Sequence, residues 1–289
     1  MKKVRIIVNP ISGTKKKKQG SKYFERLLHN SSFHTDFFIT EFPGHCTLLS
    51  KEAVDLKYDA VIVVGGDGTI NEAVQSLIGS KTALGIIPAG SGNGLARHLG
   101  IPMATSQAIK RIESFQTTQI DTAKINDQSF VNLSGIGFDA HVAKVFNGSN
   151  KRGLFNYFLI SIREYFHFKN TDYELDIDGK ITNTKAFMVV FANSNQFGNN
   201  FIISPNASIK DGLLDVCIIQ KPSIFSLPYL FFQLARKKIH HSYFVDIQTA
   251  CNIKLKHKEK SFINVEGETI EPKRTVQINI NPLSLTVII

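Results

Sequence analysis

The chain has no tryptophan and only three cysteines, Cys46, Cys217 and Cys251. They lie far apart with no Cys-x-x-Cys pair, which excludes a zinc ribbon and a disulfide framework and fits a reducing compartment. No stretch approaches the roughly 18 consecutive apolar residues that a membrane-crossing helix needs, so none is expected. The start, Met1-Lys2-Lys3, is basic like a signal peptide, but the apolar run behind it is short and ends at Asn9-Pro10. It reads as a first strand. The common nucleotide motifs are missing too. There is no Gly-x-x-x-x-Gly-Lys-Ser/Thr, and Gly90-Ser91-Gly92-Asn93-Gly94 lacks the Gly-x-Gly-x-x-Gly spacing. Acidic residues are outnumbered 24 to 34, giving a formal charge of +10. An anionic partner is therefore plausible, although nothing in the sequence matches a nucleic-acid-binding motif.

Of the 289 residues, 43% are hydrophobic and 20% charged, which is enough apolar material for one large domain or two ordinary ones. The 22 phenylalanines fit a large core or an acyl-chain pocket equally well. Val4 to Val8, Phe33 to Thr40, Ala60 to Val64 and Ala83 to Ile87 read as strands. Helices are expected at about Ser21 to His29, Thr47 to Asp55, Ile70 to Leu77 and from Leu95. This alternation predicts a parallel, doubly wound sheet. Beyond Asp121 the pattern changes to short β runs: 130–133, 173–177, 187–192, 214–219, 253–255, 262–265, 276–280 and 285–289. Helical stretches interrupt them at about 153–167 and 224–239. The expected division is an α/β nucleotide-binding domain over 1–122 and a β-rich domain over 123–282.

The strongest local signal is Gly65-Gly66-Asp67-Gly68-Thr69, a glycine-rich turn between strand and helix. Such turns bring backbone N–H groups and a helix N-terminus up to an anion. Asp67 repels phosphate, so its presence in this loop implies a divalent cation between them. Asn9-Pro10-Ile11-Ser12-Gly13 and Pro88 to Gly94 also end parallel strands. Three such loops on one carboxyl edge favour a phosphate site over three separate tight turns. For Glu72 the preferred reading is structural: Thr69-Ile70-Asn71-Glu72 matches a capping box with Thr69 as N-cap. Lys15 to Lys18 suit either anion neutralisation or a solvated loop.

These motifs together resemble the diacylglycerol kinase catalytic domain family, which includes bacterial lipid kinases and sphingosine kinases. The resemblance rests on Gly65 to Thr69 with Asn71-Glu72, and on Pro88-x-Gly90-Ser91-x-Asn93 with Leu95-Ala96-Arg97. It continues through Asn132-Leu133-Ser134-Gly135-Ile136-Gly137-Phe138-Asp139-Ala140 and Phe197-Gly198. Ser204-Pro205-Asn206-Ala207, Asp211 to Asp215 and Glu266-Gly267-Glu268 complete it. It implies a phosphofructokinase- or NAD-kinase-like α/β domain, a C-terminal β-sandwich and an ATP cleft between them, with a last strand at about 283–289 returning to the first domain. By the same resemblance, Asn9, Pro10, Ser12, Gly13, Thr40, Gly65, Gly66, Asp67, Gly68, Thr69, Asn71, Ser91 and Asn93 would bind ATP. Asp67 would act through Mg²⁺, with Asp121 supporting the metal's water network. A structural Mg²⁺ would use Asp211 and main-chain oxygens near Ser208 and Leu213.

A lipid hydroxyl needs a general base to attack phosphorus, and the family motif places it in Glu266-Gly267-Glu268. Glu266 stands where Asp is usual, and one extra methylene moves a carboxylate by about 1.5 Å. Glu268 is therefore preferred, with Glu266 and Asp67 as the other catalytic candidates. His141 occupies the position where sphingosine kinases carry an acid for the sphingoid amine. An imidazole there favours diacylglycerol over a sphingoid base. NAD kinase and a catalytically inactive nucleotide or lipid sensor are the remaining alternatives. Helix 153–167 is apolar almost all round, as either a core or a lipid-contacting helix would be. The run from Ile224 to Phe232 is followed by Arg236-Lys237-Lys238, which suits an interfacial helix at an anionic membrane. The expected partners are ATP, a lipid alcohol and, peripherally, an anionic membrane, with no nucleic acid. A homodimer stays open, and the expected location is cytoplasmic, at the inner face of the membrane.

Overall fold

The computed structural model describes residues 1–12, 33–149, 154–198, 201–257, 261–271 and 274–289. The expected helix at 21–29, the lysine run 15–18 and Gly13 lie outside these residues. The chain divides into two compact units, Met1–Thr122 with Asn281–Ile289, and Ala123–Phe197 with Phe201–Ile280.

The first unit is built on four parallel strands: β1 (Lys2–Val8), β2 (Phe33–Ile39), β3 (Ala60–Gly65) and β4 (Ala83–Pro88). Their order is β2-β1-β3-β4, and the last residues of the C-terminal strand run beside β4 with Val287 opposite Leu84. Every residue of β3 and β4 is buried, as expected of parallel strands covered on both faces. Helices His45–Asp55, Asp67–Leu77, Gly94–His98 and Thr105–Ser114 connect or follow them. One core cluster joins Val4, Ile6, Val8, Ile62, Val64, Ile87, Ile109, Ile112 and Ile288. The last of these belongs to the chain's end, which explains why a segment so remote in sequence joins this unit.

The second unit is an antiparallel β-sandwich. One sheet pairs Val245–Ala250, Leu214–Ile219, Met188–Ala192, Leu133–Gly137, Ile263–Val265 and Glu268–Ile270 in that order. The other pairs Thr275 to Asn279 with Asn252–His257, then Thr171–Ile177 and Lys180–Ala186. The core between them includes Phe130, Ile136, Tyr173, Leu175, Phe191, Val216, Ile253, Leu255, Ile263 and Val276.

Several expectations change in detail. The runs 276–280 and 285–289 form one strand, Thr275–Ile288. Asn281-Pro282 looks like a break, but Leu283 (φ +47°) donates its N–H to Asp121 and carries the strand on. The run 130–133 is the end of one strand and the start of another. The N–H groups of Val131 and Asn132 leave the ladder to bind Glu266. Helices Thr105–Ser114 and Phe138–Asn147 were not expected. The stretch 224–239 separates into Ile224–Ser226, Leu227–Ala235 and Ile239–His241.

Candidate active site

The register of the parallel sheet brings its loops together. Val8 lies opposite both Ile39 and Val64, and Gly65 lies opposite Pro88. The segments beginning at Asn9, Thr40, Gly66 and Ala89 therefore leave the same edge. The order β2-β1-β3 reverses direction at β1, and open α/β sheets bind ligands at the carboxyl ends beside such a reversal. Hydrogen bonds stitch the loops there. Asn9 N donates to Val64 O at 3.0 Å, and Thr40 N to Val8 O at 2.9 Å. Asn9 Nδ2 donates to Thr69 Oγ1 at 2.8 Å, while its Oδ1 accepts from Ile11 N at 3.1 Å. Ser12 N closes the same turn onto Asn9 O at 3.2 Å. Pro10, within that turn, is exposed.

Asp67 occupies the first turn of its helix, where a carboxylate is favoured by the helix dipole. Its Oδ2 accepts from Asn93 N at 2.8 Å and its Oδ1 from Gly94 N at 2.6 Å. The two glycine loops touch through their backbones. A Cβ on Gly90 would lie 2.6 Å from the Cα of Gly66, so this close approach requires glycine. Asn93 turns inward and clamps Gly90, accepting from its N–H at 3.0 Å and donating to its carbonyl at 2.8 Å. Ser91 is exposed, and a side chain on Gly68 would meet nothing within 4 Å. Open space beside a helix N-terminus, with hard carboxylate oxygens next to it, fits a metal-bound phosphate. Asn71 is half-buried, and its Oδ1 accepts from Gln75 Nε2 at 3.0 Å.

The capping box is not formed. The helix begins at Asp67, because extended Gly66 (φ −101°, ψ −172°) lets it start directly after the strand. Thr69 therefore lies inside the helix, buried and bonded to Asn9. Glu72 serves the neighbouring helix His45–Asp55, whose N-cap Gly44 has no side chain to offer. Its Oε2 accepts from Cys46 N at 3.1 Å, and its carbonyl accepts from Thr47 Oγ1 at 2.9 Å.

Asp121 is fully buried in the first unit, and its Oδ1 accepts from Leu283 N at 2.7 Å. In the second unit, exposed Asp211 accepts from Leu213 N at 3.1 Å, and Ser208 Oγ accepts from Lys210 N at 3.3 Å. One carboxylate with nearby carbonyls is a hard-oxygen donor set that suits Mg²⁺. Among the described residues no cluster of three or more His, Cys, Asp or Glu side chains forms, so carbonyls and water would supply the other ligands.

The two glutamates of Glu266-Gly267-Glu268 differ sharply. Val265 pairs with Glu268 across a two-residue turn with positive φ at both Glu266 (+53°) and Gly267 (+94°). Glu266 Oε1 accepts from Val131 N at 2.8 Å and Asn132 N at 2.6 Å, and Oε2 from Asn132 Nδ2 at 3.0 Å. Its extra methylene reaches this loop, and its carboxylate is committed there. Glu268 is exposed at the start of the next strand.

Three further polar side chains, two of them linked to this turn, were missed by sequence reasoning. Asn264 accepts from Gly267 N at 2.9 Å through Oδ1 and donates to Asp139 Oδ2 at 3.2 Å. Flanked by Ile263 and Val265, it resembles an outward-facing strand residue. Burial pushes the Asp139 carboxyl up to about 6, partly offset by the Asn264 bond and backbone N–H groups. Glu164 binds His141 Nε2 at 2.8 Å and Arg163 at 2.7 Å. The His141 bond, ahead of Arg163, holds the Glu164 carboxyl below its ordinary range against the effect of burial.

An α/β unit with converging glycine loops, followed by an antiparallel sandwich, defines a class of phosphotransferases. The diacylglycerol kinase catalytic domain matches residues 3–125, and the YegS C-terminal NAD kinase beta sandwich-like domain matches residues 133–289. The chain belongs to the diacylglycerol kinase family and is a lipid kinase. It is 29% identical to the diacylglycerol kinase of Bacillus subtilis, over 93% of this chain and 90% of that one. It is 26% identical to the diacylglycerol kinase of Staphylococcus carnosus, over 92% and 89%. A solved diacylglycerol kinase from Bacillus anthracis shares the fold with a TM-score of 0.76 at 23% identity, covering 99% of this chain and 96% of that one. An NAD kinase from Archaeoglobus fulgidus in complex with ATP shares it at 0.56 and 14% identity, over 99% and 93%.

Proposed function

We propose that this protein transfers the γ-phosphoryl group of ATP to the free hydroxyl of diacylglycerol, giving phosphatidic acid and ADP. The observation that carries the proposal is the joined pair of glycine loops at the sheet edge, with Asp67 bonded across them and open space beside Gly68. The polyphosphate binds there against the first turn of helix Asp67–Leu77, flanked by Asn9, Thr40 and Ser91. Asp67 would hold Mg²⁺, which would supply positive charge to offset that on the phosphoryl oxygens. Asp121 would support the water around that ion, while Asp211 and the carbonyls near Ser208 and Leu213 would hold a structural ion.

Glu268 accepts the hydroxyl proton as the new O–P bond forms and the bond to the β,γ-bridging oxygen breaks. ADP carries away that electron pair. Glu266, already bound by three N–H groups, keeps the turn in place rather than taking the proton. Glu164 is hydrogen-bonded to His141 and paired with Arg163, so it offers no free carboxylate to a sphingoid ammonium. This supports diacylglycerol as the acceptor.

The substrate is membrane-borne, and the second unit carries a surface suited to reaching it. Helix Leu227–Ala235 has no charged residue and none that is buried. Leu230 and Leu234 pack on the sheet, while Phe225, Tyr229, Phe231 and Phe232 are exposed. Arg236, Lys237 and Lys238 follow, and no acidic residue lies between Lys221 and Phe244. Such a surface sits in the headgroup layer of an anionic leaflet. No described helix is long and apolar enough to cross a membrane.

The test is to incubate the protein with Mg²⁺, labelled ATP and, separately, diacylglycerol, sphingosine, ceramide, undecaprenol and NAD. Label in phosphatidic acid is expected. Label in NAD alone would overturn the lipid assignment, and ATP binding without any labelled product would indicate a sensor.

A further inference from the structure

Helix Phe138–Asn147 fastens the Glu266–Gly267 turn at both of its ends. At its first turn, Asp139 Oδ2 accepts from Asn264 Nδ2 at 3.2 Å, and Asn264 Oδ1 accepts in turn from Gly267 N at 2.9 Å. At its last residue, Asn147 Nδ2 donates to Gly267 O at 3.2 Å. Both polar groups of the Gly267 peptide are therefore held by side chains, next to Glu268. Asn264 is itself fixed, because its carbonyl accepts from Ser134 Oγ at 2.9 Å. Asp139 is buried, and a Cβ on Gly135 would lie 2.4 Å from its Oδ2. A carboxylate with so little room has one orientation, and an unpaired buried carboxylate would be costly.

A two-residue turn ordinarily needs no such support. Here the residue after it must hold its carboxylate on a reacting hydroxyl, where a displacement of about 1 Å costs roughly 10²-fold in rate. We infer that Asn264 and Asp139 are positioning residues that fix the carboxylate of Glu268 through the Gly267 peptide. The inference rests on the assignment of Glu268 as the base. Asn264 has the chemistry for the task because an amide both accepts from Gly267 and donates to Asp139, which no hydroxyl, carboxylate or ammonium can do with the same geometry.

The experiment compares Asn264→Ala, Asp139→Ala, Asp139→Asn and Glu268→Gln with the unaltered full chain, using ATP and dioctanoylglycerol in mixed micelles. Asn264→Ala and Asp139→Ala are expected to lower kcat by about 10- to 100-fold with KM for ATP changed less than about twofold. Asp139→Asn keeps an oxygen for Asn264 and should stay within about threefold of native activity. On the Glu268→Gln background, Asn264→Ala should add no further loss, because both changes act on one group. Amide exchange over 261–271 reads the turn without substrate, and Asn264→Ala should speed it at Gly267.

Full activity in Asn264→Ala while Glu268→Gln is dead would overturn this proposal and leave the assigned base intact. So would a loss that merely follows the unfolded fraction, an added tenfold loss on the Glu268→Gln background, or unchanged exchange at Gly267. Native activity in Glu268→Gln would overturn the base assignment and this proposal with it.

Discussion

Both units fix a carboxylate with backbone N–H groups, and they do so for different ends. In the first unit Asp67 receives Asn93 N and Gly94 N and so joins two glycine loops. In the second unit Glu266 receives Val131 N and Asn132 N and joins a hairpin to a neighbouring strand end. The first carboxylate is at once the lock and the proposed metal ligand. At the hairpin the lock is Glu266, and the proposed base, Glu268, is a separate, exposed residue. A lock shared with function cannot be altered without structural cost, whereas separated roles can be tested one at a time. The units also differ in how they treat apolar side chains. The central parallel strands β3 and β4 are buried throughout, while the sandwich unit leaves the rings of Phe225, Phe231 and Phe232 outside, clustered beside a basic run.

Glu268→Gln should give the largest effect, a fall in kcat of about 10²- to 10⁴-fold. Its melting temperature should stay unchanged, since the residue is exposed; a large shift in melting would break the division of roles. Asp67→Asn should lose activity and stability together. It turns one acceptor into an NH₂ that faces a backbone N–H, at a cost of about 1–3 kcal/mol.

The next effect belongs to pH. Asp139 binds its proton more tightly when folded, at about 6, than when unfolded at 3.8. Between those values the native state holds more protons, so stability falls as pH rises from 4 through 6 and then levels. The expected size is on the order of 3 kcal/mol. Denaturant titrations at pH 4.5 and 7.5 should show this contribution in the native chain and its absence in Asp139→Asn. An equal slope in both would remove Asp139 as the source.

Glu266→Ala should cost about 1–3 kcal/mol in chemical denaturation by leaving the N–H groups of Val131 and Asn132 without their acceptor. Its activity should fall less than that of Glu268→Gln; the reverse order would exchange the two roles. The smallest effect concerns the exposed rings. Replacing Phe231 and Phe232 together by Ser should weaken sedimentation with phosphatidylglycerol vesicles by about tenfold or more, on the ordinary value of buried apolar area. Turnover of a short-chain, water-dispersed diacylglycerol should persist. Equal losses in both assays would place these rings in the acceptor site instead.

The parallel half was largely readable in the sequence. Strands such as Ala60–Gly65 are continuous apolar runs, and the glycine-rich turns mark where they end. The shift to β structure beyond Asp121 was readable as well. Glu72 was misread because a capping box depends on four consecutive residues, whereas the N–H that actually takes Glu72 as its acceptor is that of Cys46, on another helix. Strand Thr275–Ile288 was split because Asn281-Pro282 resembles a turn; the buried acceptor Asp121 that keeps the chain extended lies 162 residues away. Helix Phe138–Asn147 was hidden between β runs, although it carries Asn147, which holds Gly267 O, and Asp139, which holds Asn264.

The sequence by itself determined the class of the protein. Motif residues in a fixed order specify which backbone groups and carboxylates are available, and strand periodicity specifies the two kinds of sheet. Only the tertiary structure decided which carboxylates are held by backbone groups and which stay exposed. A carboxylate's role depends on which N–H groups reach it, and those came from residues 26 and 27 positions away for Asp67 and about 135 away for Glu266. The sequence preferred Glu268 only because Glu266 replaces the usual Asp. The N–H groups that hold Glu266 and the exposure of Glu268 are set by folding, which brings distant residues to one side of the turn.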